Sequence, residues 1–390
     1  MKIFFSVGEP SGDLHAANLI TELQSRKSDV ECVGFGGPLM RDAGCRIDFQ
    51  LTDMAVMGFL KVLPLIQKFR RVAKQAKEQF ERERPDAVVL VDFPGFNWWI
   101  ARAAKSLGIP VFYYCPPQLW AWASWRIKKV KKFVDHVLAC LPFEAEWYQQ
   151  RGVAAEYVGH PFFDEVAEKQ LDTEFLATQR ARDNRRIAIL PGSRTHEVHA
   201  NFPTQVEVMR RLSQEFPEVR FLVASYKESQ REFCEQHLRN HAPDLPVELH
   251  IGKLSEILEL SECCLMVSGS VSLEVLARGV PAIVHYHCDW LFAFVARMLI
   301  TCKYMSLPNL VADRPLMPEY IIIGSPKKHI EQMSAHLQTW LSDPMTLARA
   351  ARPLRELRDE LVQTGATATA ARVILQRMGV EQPEHQTRAA

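Results

Sequence analysis

Apolar runs of strand length alternate with amphipathic stretches of helix length along most of the chain. "KIFFSVG" (2–8) precedes a helical pattern from Asp13 to about Arg26, and "VECVGFGG" (30–37) is a second strand. A long amphipathic stretch runs from about Leu63 to Arg84. Then come "DAVVLVDF", a helix near Asn97 to Leu107, "PVFYYC", a helix near Ser124 to Phe133, "HVLACL" and a short "AEYVGHP". This βαβα alternation predicts a parallel, doubly wound sheet. The pattern breaks at 164–186, "DEVAEKQLDTEFLATQRARDNRR", which is highly charged and carries no strand signal. It restarts with "RIAILPGSR", "VRFLVAS", "VELHIG", "CCLMVSGS" and "PAIVHY", a second α/β unit. After about Pro326 the chain reads as helical and polar, and its last dozen residues as disordered. The expected division is 1–168, 169–345 and a helical tail, 346–390.

Composition narrows the picture. A chain of 390 residues, 47 % hydrophobic, suits two domains with a core each. A net charge of +1 gives no global electrostatic case for nucleic acid. Nine cysteines without a C-x-x-C pair point to a reducing cytosol. The start reads as a first strand, not a signal peptide. No apolar stretch reaches the roughly 18–20 residues that a membrane-spanning helix needs.

Candidate chemistry gathers at strand ends. Asp92 closes the apolar run "AVVLVDF". A buried, unpaired carboxylate costs several kcal/mol, so Asp92 is paired, exposed or functional. "VGEPSGD" (7–13) is a glycine-rich strand-to-helix turn. Its Ser11, Gly12 and Asp13 suit either an anion at a helix N-terminus or a plain turn capped by Ser11 or Asp13. In "ILPGSR" (189–194), Gly192 lets the backbone approach a ligand, and Ser193 and Arg194 can hold phosphate oxygens. In "MVSGSVSLEVLARGVPAIV" a helix starts near Ser270 or Ser272 and ends at Gly279. Glu274, in its first turn, either complements the helix dipole or accepts hydrogen bonds from two ribose hydroxyls. His196 and His199 are i, i+3, but no third metal ligand has suitable spacing. No Asp-x-Asp occurs, so a carboxylate-held divalent cation has no sequence support. Three stretches, 57–77, 119–133 and 290–305, join apolar or tryptophan side chains to lysine and arginine. Each reads as a solvated face or as an interfacial segment on anionic lipid.

Together these motifs resemble a family. Two α/β halves, "LPGSR" and "SGSVSLE" look like a GT-B glycosyltransferase. With "SVGEPSGDLHAA", "GFGGPLM", "MAVMGF", "VDFPGFN", "PPQLWAW", "LPFE", "YVGHP" and "YMSLPNL", the chain resembles the lipid-A-disaccharide synthases over roughly residues 3–370. The resemblance implies two Rossmann-like domains facing a cleft, the first for the acceptor and the second for the UDP-sugar. The C-terminal helices are expected to pack back on the N-terminal half. It implies an inverting transfer from UDP-2,3-diacylglucosamine to the 6-hydroxyl of 2,3-diacylglucosamine 1-phosphate, releasing UDP, with no cofactor and no metal. Asp92 is then the candidate base, Arg194 the countercharge for the diphosphate, and Asn309, in "SLPNL", an active-site asparagine. Glu9, Ser11, Gly12 and Asp13 would lie near the acceptor, and Asn97 would orient its loop and the substrate. Gly192, Ser193, Ser268, Gly269, Ser270, Ser272 and Glu274 would take the UDP-sugar. The protein would sit peripherally on the cytoplasmic face of the inner membrane, and a homodimer is an open option. Competing readings are another GT-B enzyme, such as a UDP-N-acetylglucosamine 2-epimerase, or a non-catalytic UDP-sugar binding protein at a membrane surface.

Overall fold

The computed structural model describes residues 1–54, 66–290, 293–294 and 299–380. Two compact units share the chain: Met1–Glu165 with Gln363–Ala390, and Val166–Val362. The first boundary falls within a helix, Pro161–Glu168, three residues before the expected 168/169 division.

In unit one, β1 (Lys2–Val7) leads into α1 (Pro10–Arg26), β2 (Glu31–Gly36), α2 (Pro38–Asp42), β3 (Arg46–Gln50) and α3 (Ile66–Glu83). The chain continues through β4 (Ala87–Val91), α4 (Pro94–Ser106), β5 (Val111–Tyr114), α5 (Ile127–Phe133), β6 (His136–Ala139), α6 (Pro142–Gln149), β7 (Ala155–Tyr157) and α7 (Pro161–Glu168). All strands are parallel, in the order β3-β2-β1-β4-β5-β6-β7. β4 is buried at every position because helices cover both faces of the sheet.

Unit two opens with α8 (Thr173–Arg180) and then repeats the plan. The series is β8 (Arg185–Leu190), α9 (Thr195–Glu215), β9 (Val219–Ser225), α10 (Glu228–His241), β10 (Val247–Ile251) and α11 (Leu254–Leu260). It goes on with β11 (Cys263–Val267), α12 (Val271–Arg278), β12 (Ala282–Cys288), α13 (Leu307–Ala312), β13 (Glu319–Ile323), α14 (Lys327–Ser342) and α15 (Pro344–Leu361). Its parallel strands run β10-β9-β8-β11-β12-β13. The last helix, α16 (Ala366–Arg377), returns to unit one. There Ala370, Ala371 and Ile374 share a core with Leu19, Ile20 and Leu23 of α1. The tail expected as one segment is thus split, α15 staying with unit two.

Both sheets reverse direction of growth beside their first strand, between β1 and β4 and between β8 and β11. In open α/β sheets ligands bind at the carboxyl ends of strands at such switch points. The turns "VGEPSGD" and "DFPGFN" follow β1 and β4; "PGSR" and "SGSVSLE" follow β8 and β11.

Candidate active site

In unit one the two turns lock together. A Cβ on Gly8 would lie 2.2 Å from the Phe93 ring, so the loop after β4 packs directly on the backbone after β1. Asp92 and Phe93 both have left-handed backbones, φ 47° and 43°. Each such conformation costs a non-glycine residue about 1–3 kcal/mol. Hydrogen bonds hold it. The Asp92 carbonyl accepts from Asn97 Nδ2 at 2.8 Å and from the Tyr113 hydroxyl at 2.7 Å. Asn97 also donates to the Ser6 and Val91 carbonyls, and its Oδ1 accepts from Ser6 Oγ at 2.7 Å. Strain that is over-determined in this way is characteristic of a residue whose side chain must be aimed. Burial raises the Asp92 carboxyl above its ordinary value, while the Phe93 N–H and His15 pull it partly back.

The neighbouring residues take other tasks. Glu9, not Ser11 or Asp13, is the N-cap of α1, and Pro10 is its first residue. The first ladder bond is Asp13 N–H to the Glu9 carbonyl. The N–H groups of Ser11 and Gly12 therefore precede the helical ladder and suit an anion. Gly12 is buried against β4: a Cβ there would sit 3.9 Å from that of Asp92. Asp13 is buried, and its carboxylate accepts from the N–H groups of Gly37 (2.9 Å), Leu39 (3.0 Å) and Met40 (3.3 Å). It ties α1 to the start of α2, where α2's own dipole favours it. Asn97 is fully buried as well, so its place is behind the loop it orients, not against a substrate.

In unit two Gly192 has φ 121°, and a Cβ there would lie 2.9 Å from that of Glu197. Arg194 caps α9: Glu197 Oε2 accepts from its N–H, and Glu197 Oε1 pairs with Nη1 at 2.6 Å. Glu197 is buried while the Arg194 side chain is about half exposed, so the carboxylate aims the guanidinium. The Ser193 carbonyl accepts from Gln230 Nε2 at 2.8 Å. After β11, Ser268 donates to the Met305 carbonyl and Ser272 to the Gly269 carbonyl. Gly269 has open space around it, and Ser270 is exposed as the N-cap of α12. Glu274 is buried, accepts from Ser255 Oγ and lies 3.8 Å from Arg278 Nε.

Asn309 differs most from expectation. Its side chain is fully buried and fully used: Nδ2 donates to the Met317 carbonyl and to Glu319, and Oδ1 accepts from the Leu316 and Met317 N–H groups. It shapes the 313–319 loop rather than presenting an amide. Glu319, which also accepts from Met305 N, Ser306 N and Ser306 Oγ, is the anchor of that loop. Glu197, Glu319 and Tyr113 were not among the sequence candidates. For Glu197 a signal existed, an acid three residues after a helix cap. For the other two it did not, since their partners are distant in sequence or set by the loop's shape.

Paired parallel Rossmann-type sheets, each with glycine- and serine-bearing turns at its switch point, define the GT-B class of nucleotide-sugar enzymes. Solved structures bear out the fold. An S. aureus MnaA–UDP co-structure aligns with a TM-score of 0.68 at 14 % identity, covering 97 % of each chain. CalG4, the calicheamicin glycosyltransferase, aligns at 0.58 and 15 %, covering 97 % of this chain and 98 % of its own. The lipid-A-disaccharide synthetase family model matches residues 3–367. The lipid-A-disaccharide synthase of Anaeromyxobacter dehalogenans strain 2CP-1 is 34 % identical over 374 residues, 96 % of this chain and 97 % of that protein. That of Myxococcus xanthus is 32 % identical over 378 residues, again 96 % and 97 %. The chain belongs to the lipid-A-disaccharide synthase family, and its activity is formation of the lipid A disaccharide.

Proposed function

We propose that Asp92 is the base of this transfer. It would take the proton of the acceptor's 6-hydroxyl as that oxygen attacks the anomeric carbon of UDP-2,3-diacylglucosamine, with 2,3-diacylglucosamine 1-phosphate as acceptor. The C1–O bond to UDP breaks with its electron pair leaving on the diphosphate, and the anomeric configuration inverts. The observation that carries this reading is the strained, doubly hydrogen-bonded backbone of Asp92 beneath a carboxyl whose affinity for protons burial has raised. A base works best when its pKa approaches the working pH. Arg194, aimed by Glu197, would meet charge that grows on the leaving diphosphate. The serine turn after β11 and Glu274 would hold the nucleoside. Asn97 and Asn309 would act only by shaping loops.

The membrane-facing part of the reading rests on exposure. Trp122, Trp125 and four lysines of the 119–133 stretch are exposed in unit one, as are Trp290, Phe294 and Ile300 in unit two. These would receive acyl-chain substrates at an anionic surface without crossing it; no helix among the described residues is long and apolar enough to span. The 57–77 stretch contributes less. Its described part, in α3, turns Phe69, Val72 and Ala76 into the core, and 57–65 lie outside the described residues.

Mass spectrometry of products from the two purified monosaccharide precursors tests the reaction. A disaccharide 1-phosphate formed in step with UDP is expected. UDP release without the disaccharide, or an epimerised sugar, contradicts it.

A further inference from the structure

Asp92 has a neighbour that its own loop does not supply. His15 stands one helical turn after Gly12 on α1, and residues at i and i+3 share a face. Gly12 is the residue of that face that backs onto Asp92; a Cβ at Gly12 would fall 3.9 Å from that of Asp92. From the other side Glu165, on α7, meets His15: Oε1 lies 2.7 Å from Nδ1, and both side chains are largely buried. His160, at the start of the same segment, sets its ring edge against His15 with centroids 6.3 Å apart. His160 Nδ1 accepts from the Phe162 N–H. Burial pushes His160 down to about 3, so it stays neutral and donates no charge to the cluster.

We infer that His15 and Glu165 form a positioning dyad for Asp92, in which Glu165 fixes the imidazole through Nδ1 and leaves Nε2 for the carboxylate side. This rests on the reading of Asp92 as the base. Glu165 orients the ring through its contact with Nδ1. The imidazole in turn favours the ionised form of Asp92, opposing the burial that would keep it protonated. Among the described residues, these groups face the cluster. Asp92 comes from the loop after β4, Glu165 and His160 from the α7 segment, and Cys115 approaches Asp92 from the end of β5. Asp13, two residues from His15, is turned away and engaged with α2. During transfer the acceptor O–H bond breaks and an Asp92 O–H bond forms. The dyad neither gains nor loses a bond to substrate; it sets how readily Asp92 starts as the anion.

The test is the pH profile of kcat/KM for wild type, His15→Gln, Glu165→Gln and Asp92→Asn, with thermal unfolding of each. His15→Gln should move the acid limb up by about one pH unit, consistent with one lost charge neighbour. On the acid side of that limb it should lower kcat/KM by about ten-fold and on the plateau above it much less, with the donor KM within two-fold. Glu165→Gln should shift the limb in the same direction by less. If both glutamine variants lose activity with the acid limb unmoved, or lose nothing, the dyad is refuted. If Asp92→Asn itself retains near-normal turnover, it is the base assignment that fails, whatever the histidine does.

Discussion

Tyr113 gives its hydroxyl to the carbonyl of Asp92 across 21 residues of sequence, from inside an apolar strand. Tyr113→Phe removes one of two donors holding a left-handed aspartate and leaves that carbonyl less satisfied. We expect a loss of about 1 kcal/mol in stability and a several-fold fall in kcat with KM little changed, read by urea unfolding and steady-state kinetics. A second residue predicts a pH effect. His285 is buried in β12, no partner for either ring nitrogen is found among the described residues, and burial pushes it down to about 3. Its unfolded value is near 6.5, so the unfolded chain binds the extra proton first. The stability it contributes is present above about 6.5 and is lost as pH falls towards about 3. His285→Leu should therefore flatten the decline in Tm between pH 6.5 and 4 while keeping or raising Tm at pH 7.5. A decline as steep as the wild type's would count against it. At this scale the sequence marked Asp92 as a candidate because a polar residue closing an apolar run is conspicuous, and Arg194 and Glu274 because each follows a glycine- and serine-bearing turn after a strand. Asn97 was conspicuous for the same reason as Asp92 and Asn309 only through the family resemblance, yet both are held by partners that no local pattern specifies.

Strand-to-helix turns hold the candidate residues in both units, and glycine sets their geometry. Gly192→Ala places a Cβ against Glu197 at a backbone angle that disfavours side chains. A loss of about 1–3 kcal/mol is expected. UDP affinity should fall as well, because Glu197 is what aims Arg194; unfolding and calorimetry read the two. Unchanged UDP affinity in a folded variant would separate Arg194 from nucleotide binding. Most elements were visible from their period: β1, β2, β4, β8, β9, β11 and β12 are apolar runs because helices cover both faces of each sheet. The omissions, β3 and β13, are edge strands. β3 is short and mixed in polarity; β13 carries exposed Ile321 and Ile323. An edge strand has one neighbour and less cover, so its pattern is weaker. The α1 cap was misplaced because Pro10 starts the helix one residue before Ser11 and three before Asp13, the two expected capping side chains.

For the whole molecule, net charge near neutrality hides local basic surface. Lys128, Lys129, Lys131 and Lys132 are exposed beside Trp122 and Trp125. Basic residues near an anionic surface contribute about 1 kcal/mol each, and salt screens that contribution. Replacing the four by glutamine should sharply reduce co-sedimentation with anionic vesicles at low salt and leave UDP affinity unchanged. Equal sedimentation of wild type and variant, at either salt, would make the helix an ordinary solvated face. The two-unit plan was legible in the repeated alternation, and a return of the C-terminal helices to the first half was expected from the family resemblance; α15 stays with unit two, and α16 makes that return. The return depends on Asp164, whose carboxylate caps the helix through the N–H groups of Gly365, Ala366 and Thr367, some 200 residues away.

The most direct measurement concerns Asp92. Purified Asp92→Asn should fold normally and bind UDP with an affinity close to that of wild type by calorimetry. Its kcat with both lipid precursors at saturation should fall by at least about 10²-fold, the lower range for loss of a general base. A kcat within a few-fold of wild type would contradict the assignment of Asp92 as the base.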